Sequence, residues 1–151
     1  SRIRMVNQFV KIQKLREEAK LPEKATKYSA AYDLYSALDE EITVMPGQTK
    51  FIPLGFATSF DPEFVALIFS RSGLATKEGL ALANKVGVID ADYRGEWVVA
   101  LHNHDIVPHY VQPKQRVAQA ILFPKFEMDF VEVEQLTDTQ RGQGGFGSTG
   151  T

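Results

Sequence analysis

The chain has 151 residues, enough for one domain with a proper core, and 44% hydrophobic with 24% charged residues is the balance of an ordinary globular protein, not of a disordered or collagen-like one. It contains no cysteine, which removes disulfide frameworks and thiolate metal sites and is compatible with a reducing compartment. A formal net charge of −2 supplies no general field for duplex nucleic acid, so any phosphate must be recognised by a few placed groups, and no apolar run approaches the length that crosses a bilayer.

The first residues, Ser1-Arg2-Ile3-Arg4, lack the apolar core of a signal peptide, and a soluble intracellular protein is the expectation. Val10-Lys11-Ile12 alternates as an edge strand does, and residues 16–27 read as a charged surface loop broken by Leu21-Pro22. From Asp33 onward strand signals recur at short intervals: residues 33–37, 42–44, 49–53 and 56–60, with Pro46-Gly47 supplying a type II turn. After Asp61-Pro62, the run Phe64-Val65-Ala66-Leu67-Ile68-Phe69 is continuously apolar and is expected to be buried on both faces. One short helix is predicted between Ser70 or Ser72 and Gly79.

Leu80-Ala81-Leu82-Ala83 and Trp97-Val98-Val99-Ala100-Leu101 read as the arms of a β-hairpin whose tip lies within the stretch Gly87 to Glu96, acidic in its middle and holding a glycine near each end. Aspartate suits turns for local reasons, so Asp90 and Asp92 alone carry little; Tyr93, three residues after Asp90, sets a flat apolar face near a carboxylate, a pairing that suits a sugar ring with a hydroxyl nearby. Further strands are expected at 107–111, 117–123 and 129–135, separated by turns at Gln112-Pro113-Lys114 and Pro124. Strands at this spacing, with Pro and Gly turns, define an all-β sandwich or barrel.

After Leu136 the composition shifts to a Gly-rich tail, giving a division into residues 1–136 and 137–151. Such an end reads either as a flexible terminus or, with Arg141, Phe146, Ser148 and Thr149 set among five glycines, as the parts of a phosphate cradle: free backbone N–H groups, a guanidinium and a ring to cover a base. It lacks the lysine and the preceding strand of a Walker site. His102, His104 and His109 lie close together in sequence and read as surface imidazoles in preference to a metal site.

Ala31-Tyr32-Asp33-Leu34-Tyr35-Ser36-Ala37, Arg71-Ser72-Gly73-Leu74-Ala75, Asn84 with Gly87 to Gly95, Arg116-Val117-Ala118-Gln119 and Arg141 to Gly150 resemble, in order, the five motifs of the trimeric dUTPases. The resemblance runs from about Val10 to Gly150. It implies a jelly-roll-like distorted barrel with one short helix, a homotrimer, and active sites each assembled from three chains, with the Gly-rich tail of one closing over its neighbour. It also implies hydrolysis of dUTP to dUMP and pyrophosphate with Mg²⁺ as cofactor, no nucleic-acid or membrane partner, and a cytoplasmic location, or nucleoplasmic in a eukaryotic cell.

By that resemblance Asp90 is the general base that takes a proton from the water attacking the α-phosphorus, and Tyr93 stacks on deoxyribose and excludes a 2′-hydroxyl. Asp92 is left to shape the turn or pair with a neighbour. Uracil is expected on the hairpin backbone at Asn84, Gly87, Val88 and Ile89, with Phe146 covering the ring and Gly147 beside it. Arg71, Ser72, Gly73 and Gln119 are expected on the α- and β-phosphates, and Arg141, Ser148 and Thr149 on the γ-phosphate; Asp33 is expected to hold Mg²⁺ through water. Ala31, Ser70, Lys114-Gln115 and Gln143 depart from the family's usual Gly, Pro, Gly-Asp and Ser, so the backbone at Ala31 and before Arg116 is the place to look for consequences. A dCTP deaminase shares the fold but needs a deaminating Glu in the base pocket, and Glu96 lies outside the tip.

Overall fold

A computed structural model describes residues 7–77 and 79–147, with backbone alone for residues 75–77. The described residues form eleven strands and one helix. In order these are β1 (Lys11–Lys14), β2 (Tyr32–Tyr35), β3 (Ile42–Val44), β4 (Thr49–Pro53), β5 (Phe56–Ser59), β6 (Phe64–Phe69), α1 (Ser72–Lys77), β7 (Leu80–Leu82), β8 (Val86–Ile89), β9 (Val98–Asn103), β10 (His109–Val111) and β11 (Arg116–Pro124). They pair antiparallel into four small sheets, ordered β1-β5, β10-β3, β2-β11-β6-β8 and β4-β9-β7. This is an all-β, jelly-roll-like distorted barrel with a single short helix.

The inward positions of the sheets meet in one core in which Leu34, Ile52, Leu54, Phe56, Leu101 and Val117 are shut off from solvent. Trp97 tilts against Phe56 with ring centroids 5.1 Å apart, and its Nε1 donates to Thr58 Oγ1 at 3.0 Å, so the one polar atom of the indole is satisfied inside the core. Asn103, also fully buried, donates to the carbonyls of Val44 and Val107 and accepts from the Asp105 N–H, tying β9 to β3 and to the loop before β10. The Pro46-Gly47 turn closes with Gln48 N donating to Met45 O, Gly47 taking the positive φ that a type II turn requires.

Three expectations need correction. Leu80–Leu82 does pair with Leu101 to Asn103, but the two arms are not a simple hairpin: β8, inside the supposed tip, crosses to the other sheet and pairs with β6. Residues 129–135 form no strand here; they are exposed, with Phe130 87% and Val131 81% accessible, and no strand among the described residues pairs with them. And β6 is not buried on both faces: Ala66 and Ile68 point into the core, with Phe64 packed against it, while Val65, Leu67 and Phe69 stay half-buried on the outer face.

Candidate active site

Asp33 sits mid-way along β2, opposite Gln119 of β11, and Gln119 is in turn opposite Phe69 at the end of β6. The register thereby brings residues far apart in sequence to one edge. A bulge between Arg116 and Ala118 interrupts the two-residue alternation of β11, so that Arg116, opposite Tyr35, emerges on the same face as Gln119, opposite Asp33. Arg71 Nε lies 3.4 Å from Asp33 Oδ1 and Arg116 Nη1 3.6 Å from Asp33 Oδ2. One carboxylate between two guanidiniums leaves a net positive site with unused forked donors, which is what a phosphate chain requires. Gln119 Nε2 donates to Ser70 O at 2.9 Å, and Ser70 Oγ accepts from Leu82 N at 2.9 Å, so the serine that stands at a usual proline position ties the last residue of β7 to the end of β6. Ser72 opens α1 and Gly73 follows it; a Cβ added at Gly73 would meet nothing within 4 Å, so its backbone is open to approach.

Arg116 was not assigned a role from sequence. Its neighbour Gln119 was, and only the bulge places both on one face. The motif residues held the signal, but period-two alternation would have sent them to opposite faces.

The second group lies at the end of β8. Gly87 is buried against Ile68, Ile89 is half-buried, and Asn84, Val88 and Asp90 are exposed. β8 is the last strand of its sheet, so one edge of its backbone is unpaired there. Past Ile89 the chain turns: Tyr93 N donates to Asp90 O at 3.1 Å, and the Tyr93 hydroxyl donates to Glu96 O at 3.1 Å, laying the phenol over Gly95. Neither Asp90 nor Asp92 makes a side-chain hydrogen bond or ion pair among the described residues, so the pairing entertained for Asp92 is not found and Asp90 presents a free carboxylate. Glu96 accepts from Gly55 N at 2.9 Å and is gripped by Arg16, Nε to Oε2 2.7 Å; the Arg16 hydrogen bond holds its carboxyl below the usual value against the opposing effect of burial. Glu96 is therefore a brace and is not free to act on a base. A depression of about 430 Å³ beside the tip is lined by Phe60, Pro62, Phe64, Asp90 to Asp92, Arg94 and Lys125. Lys125 is held above its ordinary value, first by its hydrogen bond to Glu127, and the Asp90 charge adds to this.

Among the described residues of the tail, 137–147, no hydrogen bond or ion pair reaches either group. Arg141 Nε donates to Gly144 O at 2.8 Å, closing a local turn; Phe146 is fully exposed, Gly147 follows it with φ +84°, and Ser148 and Thr149 lie outside the described residues. Of the histidines, His102 Nδ1 shares a 2.8 Å hydrogen bond with Thr49 and its ring lies 4.6 Å from that of His104, while His109 bonds Asp105. No cluster of three or more His, Asp or Glu fit to hold a metal occurs among the described residues. Of the departures, Ala31 has no positive φ, so alanine fits there; Lys114 does, at φ +60°, with its N–H on Ser36 O, and Gln115 Oε1 accepts from Gln112 N.

The Asp33 group and the Asp90 group stand apart. The depression containing Asp33 and Gln119 shares no lining residue with the one containing Asp90. Continuing the Ala66–Ile89 register by one places Asp90 level with Val65, whereas Gln119 is level with Phe69, about 13 Å farther along β6 at an ordinary strand rise. The chain thus offers two half-sites, one cationic and one carrying a carboxylate beside an aromatic ring.

Fold and half-sites define an all-β protein with two guanidiniums on one carboxylate at one place and a carboxylate beside an aromatic ring at another. A family model for dUTPase matches residues 17–150. The deoxyuridine 5′-triphosphate nucleotidohydrolase of Desulfitobacterium hafniense is 49% identical over 144 residues, covering 93% of this chain and 95% of that protein. The protein of the same description from Neisseria meningitidis serogroup A is 45% identical, covering 86% and 87%. A Staphylococcus bacteriophage 80alpha dUTPase solved with dUPNHPP superposes with a TM-score of 0.85 at 25% identity, covering 95% of this chain and 99% of that one. The chain belongs to the dUTPase family.

Proposed function

We propose that this protein hydrolyses dUTP to dUMP and pyrophosphate, which limits uracil in DNA and supplies dUMP for thymidylate synthesis. The observation that carries the reading is the free carboxylate of Asp90 on a braced tip in a chain that also holds two arginines on Asp33. Asp90 takes a proton from a water attacking the α-phosphorus. Transfer becomes favourable as the new P–O bond forms, provided the carboxylate is fixed within hydrogen-bond reach. Tyr93 lies against the deoxyribose and leaves no room for a 2′-hydroxyl. The open edge of β8 suits uracil: the backbone at Asn84, Gly87, Val88 and Ile89 can pair with the base's polar edge, and a close fit there excludes the thymine methyl. Arg71, Ser72, Gly73 and Gln119 receive the α- and β-phosphates, and Arg116 joins them; Arg141, Ser148 and Thr149 take the γ-phosphate, with Phe146 and Gly147 closing over the base.

Mg²⁺ is the proposed cofactor. Both Asp33 oxygens already face guanidiniums, and the absence of an acidic cluster among the described residues argues against an all-protein cage. A carboxylate retains lone pairs beyond those two, so Asp33 fits an ion carried by the nucleotide and touched through water, the usual manner for Mg²⁺. Bound there, the ion would screen the triphosphate's negative charge.

Since the two half-sites stand apart on one chain, a complete site takes residues from different copies, and we propose a homotrimer. Two features support association. Phe126, Met128, Phe130, Val131 and Leu136 are exposed, and an apolar groove of about 490 Å³ is lined at its accessible side by Val10, Ile12, Pro22, Tyr32 and Leu122. No helix among the described residues is long and apolar enough to cross a membrane, and a cytoplasmic or nucleoplasmic location fits a nucleotide substrate. Pyrophosphate release from dUTP, dTTP, dCTP and UTP, with and without Mg²⁺, tests the proposal: fast, Mg²⁺-stimulated release from dUTP alone supports it, while ammonia release from dCTP or equal turnover of all four contradicts it.

A further inference from the structure

Arg94, which no role above uses, turns its side chain back under the tip. Its Nη1 donates to Ala91 O at 2.8 Å and to Thr58 O at 3.1 Å. The first acceptor belongs to the turn itself; the second belongs to β5, in a different sheet. Thr58 is a firm post, since it is buried and its hydroxyl accepts from Trp97 in the core. Ala91 is likewise buried, alone among residues 90–94.

The consequence falls on Asp90. Its carboxylate has no hydrogen bond of its own among the described residues, so its direction is set by the backbone on either side. Before it, Ile89 is fixed opposite Ala66; its own carbonyl is held by Tyr93 N; after it, the Ala91 carbonyl is held by Arg94. Without the last contact residues 90–92 would reach the second sheet only at a distance, through Tyr93 on Glu96, whose carboxylate holds Gly55 N and whose neighbour Trp97 donates to Phe56 O.

We infer that Arg94 is a positioning residue for Asp90, a guanidinium clamp between tip and β5 that aims the carboxylate at the attacking water. The inference rests on the reading of Asp90 as the base. A positioning loss should appear in turnover and not in binding, because misplacing a reacting group by an ångström costs up to about 100-fold in rate while leaving ground-state contacts in place.

The test compares Arg94→Met, which keeps the stem and removes both bonds, and Arg94→Lys with the unaltered full-length chain. The readouts are kcat on dUTP and Kd for its non-hydrolysable imido analogue. The expected result is a fall in kcat of about 10- to 100-fold in Arg94→Met with Kd changed less than about threefold, and partial recovery in Arg94→Lys, whose ammonium can still reach one carbonyl. A kcat within about threefold of the unaltered protein, or a Kd that weakens as much as kcat falls, overturns the clamp. If Arg94→Met does not fold, Arg94→Lys decides: kcat and Kd both unchanged is the overturning result, and kcat lowered alone is the supporting one. Asp90→Asn runs alongside. Retained turnover there sinks the reading of Asp90, whereas an inactive Asp90→Asn beside a fully active Arg94→Met sinks only the clamp.

Discussion

Replacing Gly95 by alanine puts a methyl group where the Tyr93 ring lies. The added Cβ would stand 2.3 Å from the phenol oxygen, 2.6 Å from Cζ and 2.9 Å from Cε1, whereas ordinary contact begins at 3.4 Å. The hydroxyl must therefore retreat by about 1 Å, which stretches its 3.1 Å bond to Glu96 O past useful length. The backbone gives no second reason for glycine, since Gly95 has no positive φ, so the substitution isolates the ring contact. Loss of one half-exposed hydrogen bond costs about 1 kcal/mol, a fall of roughly 2–4 °C in melting temperature for a chain of this size. The larger effect is on selection. A methyl-sized change of fit is worth about 1–3 kcal/mol, so the ratio of kcat/KM for dUTP over UTP should fall by about 10-fold or more. Parallel kinetics on the two substrates, with circular dichroism to verify folding, measure this. A variant with an unchanged ratio and unchanged kcat/KM would refute the placement of Tyr93 against the sugar.

Lys114 occupies a left-handed conformation that costs a side-chain-bearing residue about 1 kcal/mol, only partly offset by the greater chain entropy glycine loses on folding; Lys114→Gly should raise the melting temperature by about 2 °C without changing kcat. Glu96 is held below its ordinary value of 4.5 by Arg16, so its contribution is full above 4.5 and is lost as pH falls through its lowered value. Glu96→Gln should accordingly be less stable by about 0.5–1 kcal/mol near neutral pH, the pair being partly exposed, and the gap should close in acid denaturation curves below that value. Asp33→Asn leaves Arg71 and Arg116 without their shared charge; kcat/KM on dUTP should drop about 10- to 100-fold and the Mg²⁺ concentration for half-maximal rate should rise, a titration that would expose any role of Asp33 unrelated to the ion.

Local chemistry was legible where it is strong. The strands at 42–44, 49–53 and 64–69 fall on the residues expected, and the helix ends before Gly79, whose φ of +71° is the stop that its glycine signals. Pairing was less legible. Apolar runs at 80–83 and 97–101 announce strands, but nothing in their period tells that the chain between them visits another sheet. Residues 129–135 read as a strand in sequence, yet a pairing partner is not a local property, and none of the described strands pairs with them. The outer face of β6 is apolar in sequence and half-open in this single chain, so the run identified burial without saying which molecule covers it. In the site, Asp90, Tyr93, Arg71 and Gln119 were named from motif order. Arg116 escaped because a bulge reversed its face, and Arg94 because its partners are backbone carbonyls, one of them thirty-six positions away.

The measurement that tests the central claim most directly is single-turnover hydrolysis of dUTP by the unaltered chain and by Asp90→Asn at saturating nucleotide and Mg²⁺, with analogue binding measured in parallel. The account predicts that the variant still binds the imido analogue within about threefold while its turnover falls by at least about 100-fold, the loss expected when a positioned base is removed. Turnover that survives the substitution would place the proton acceptor elsewhere and contradict the account.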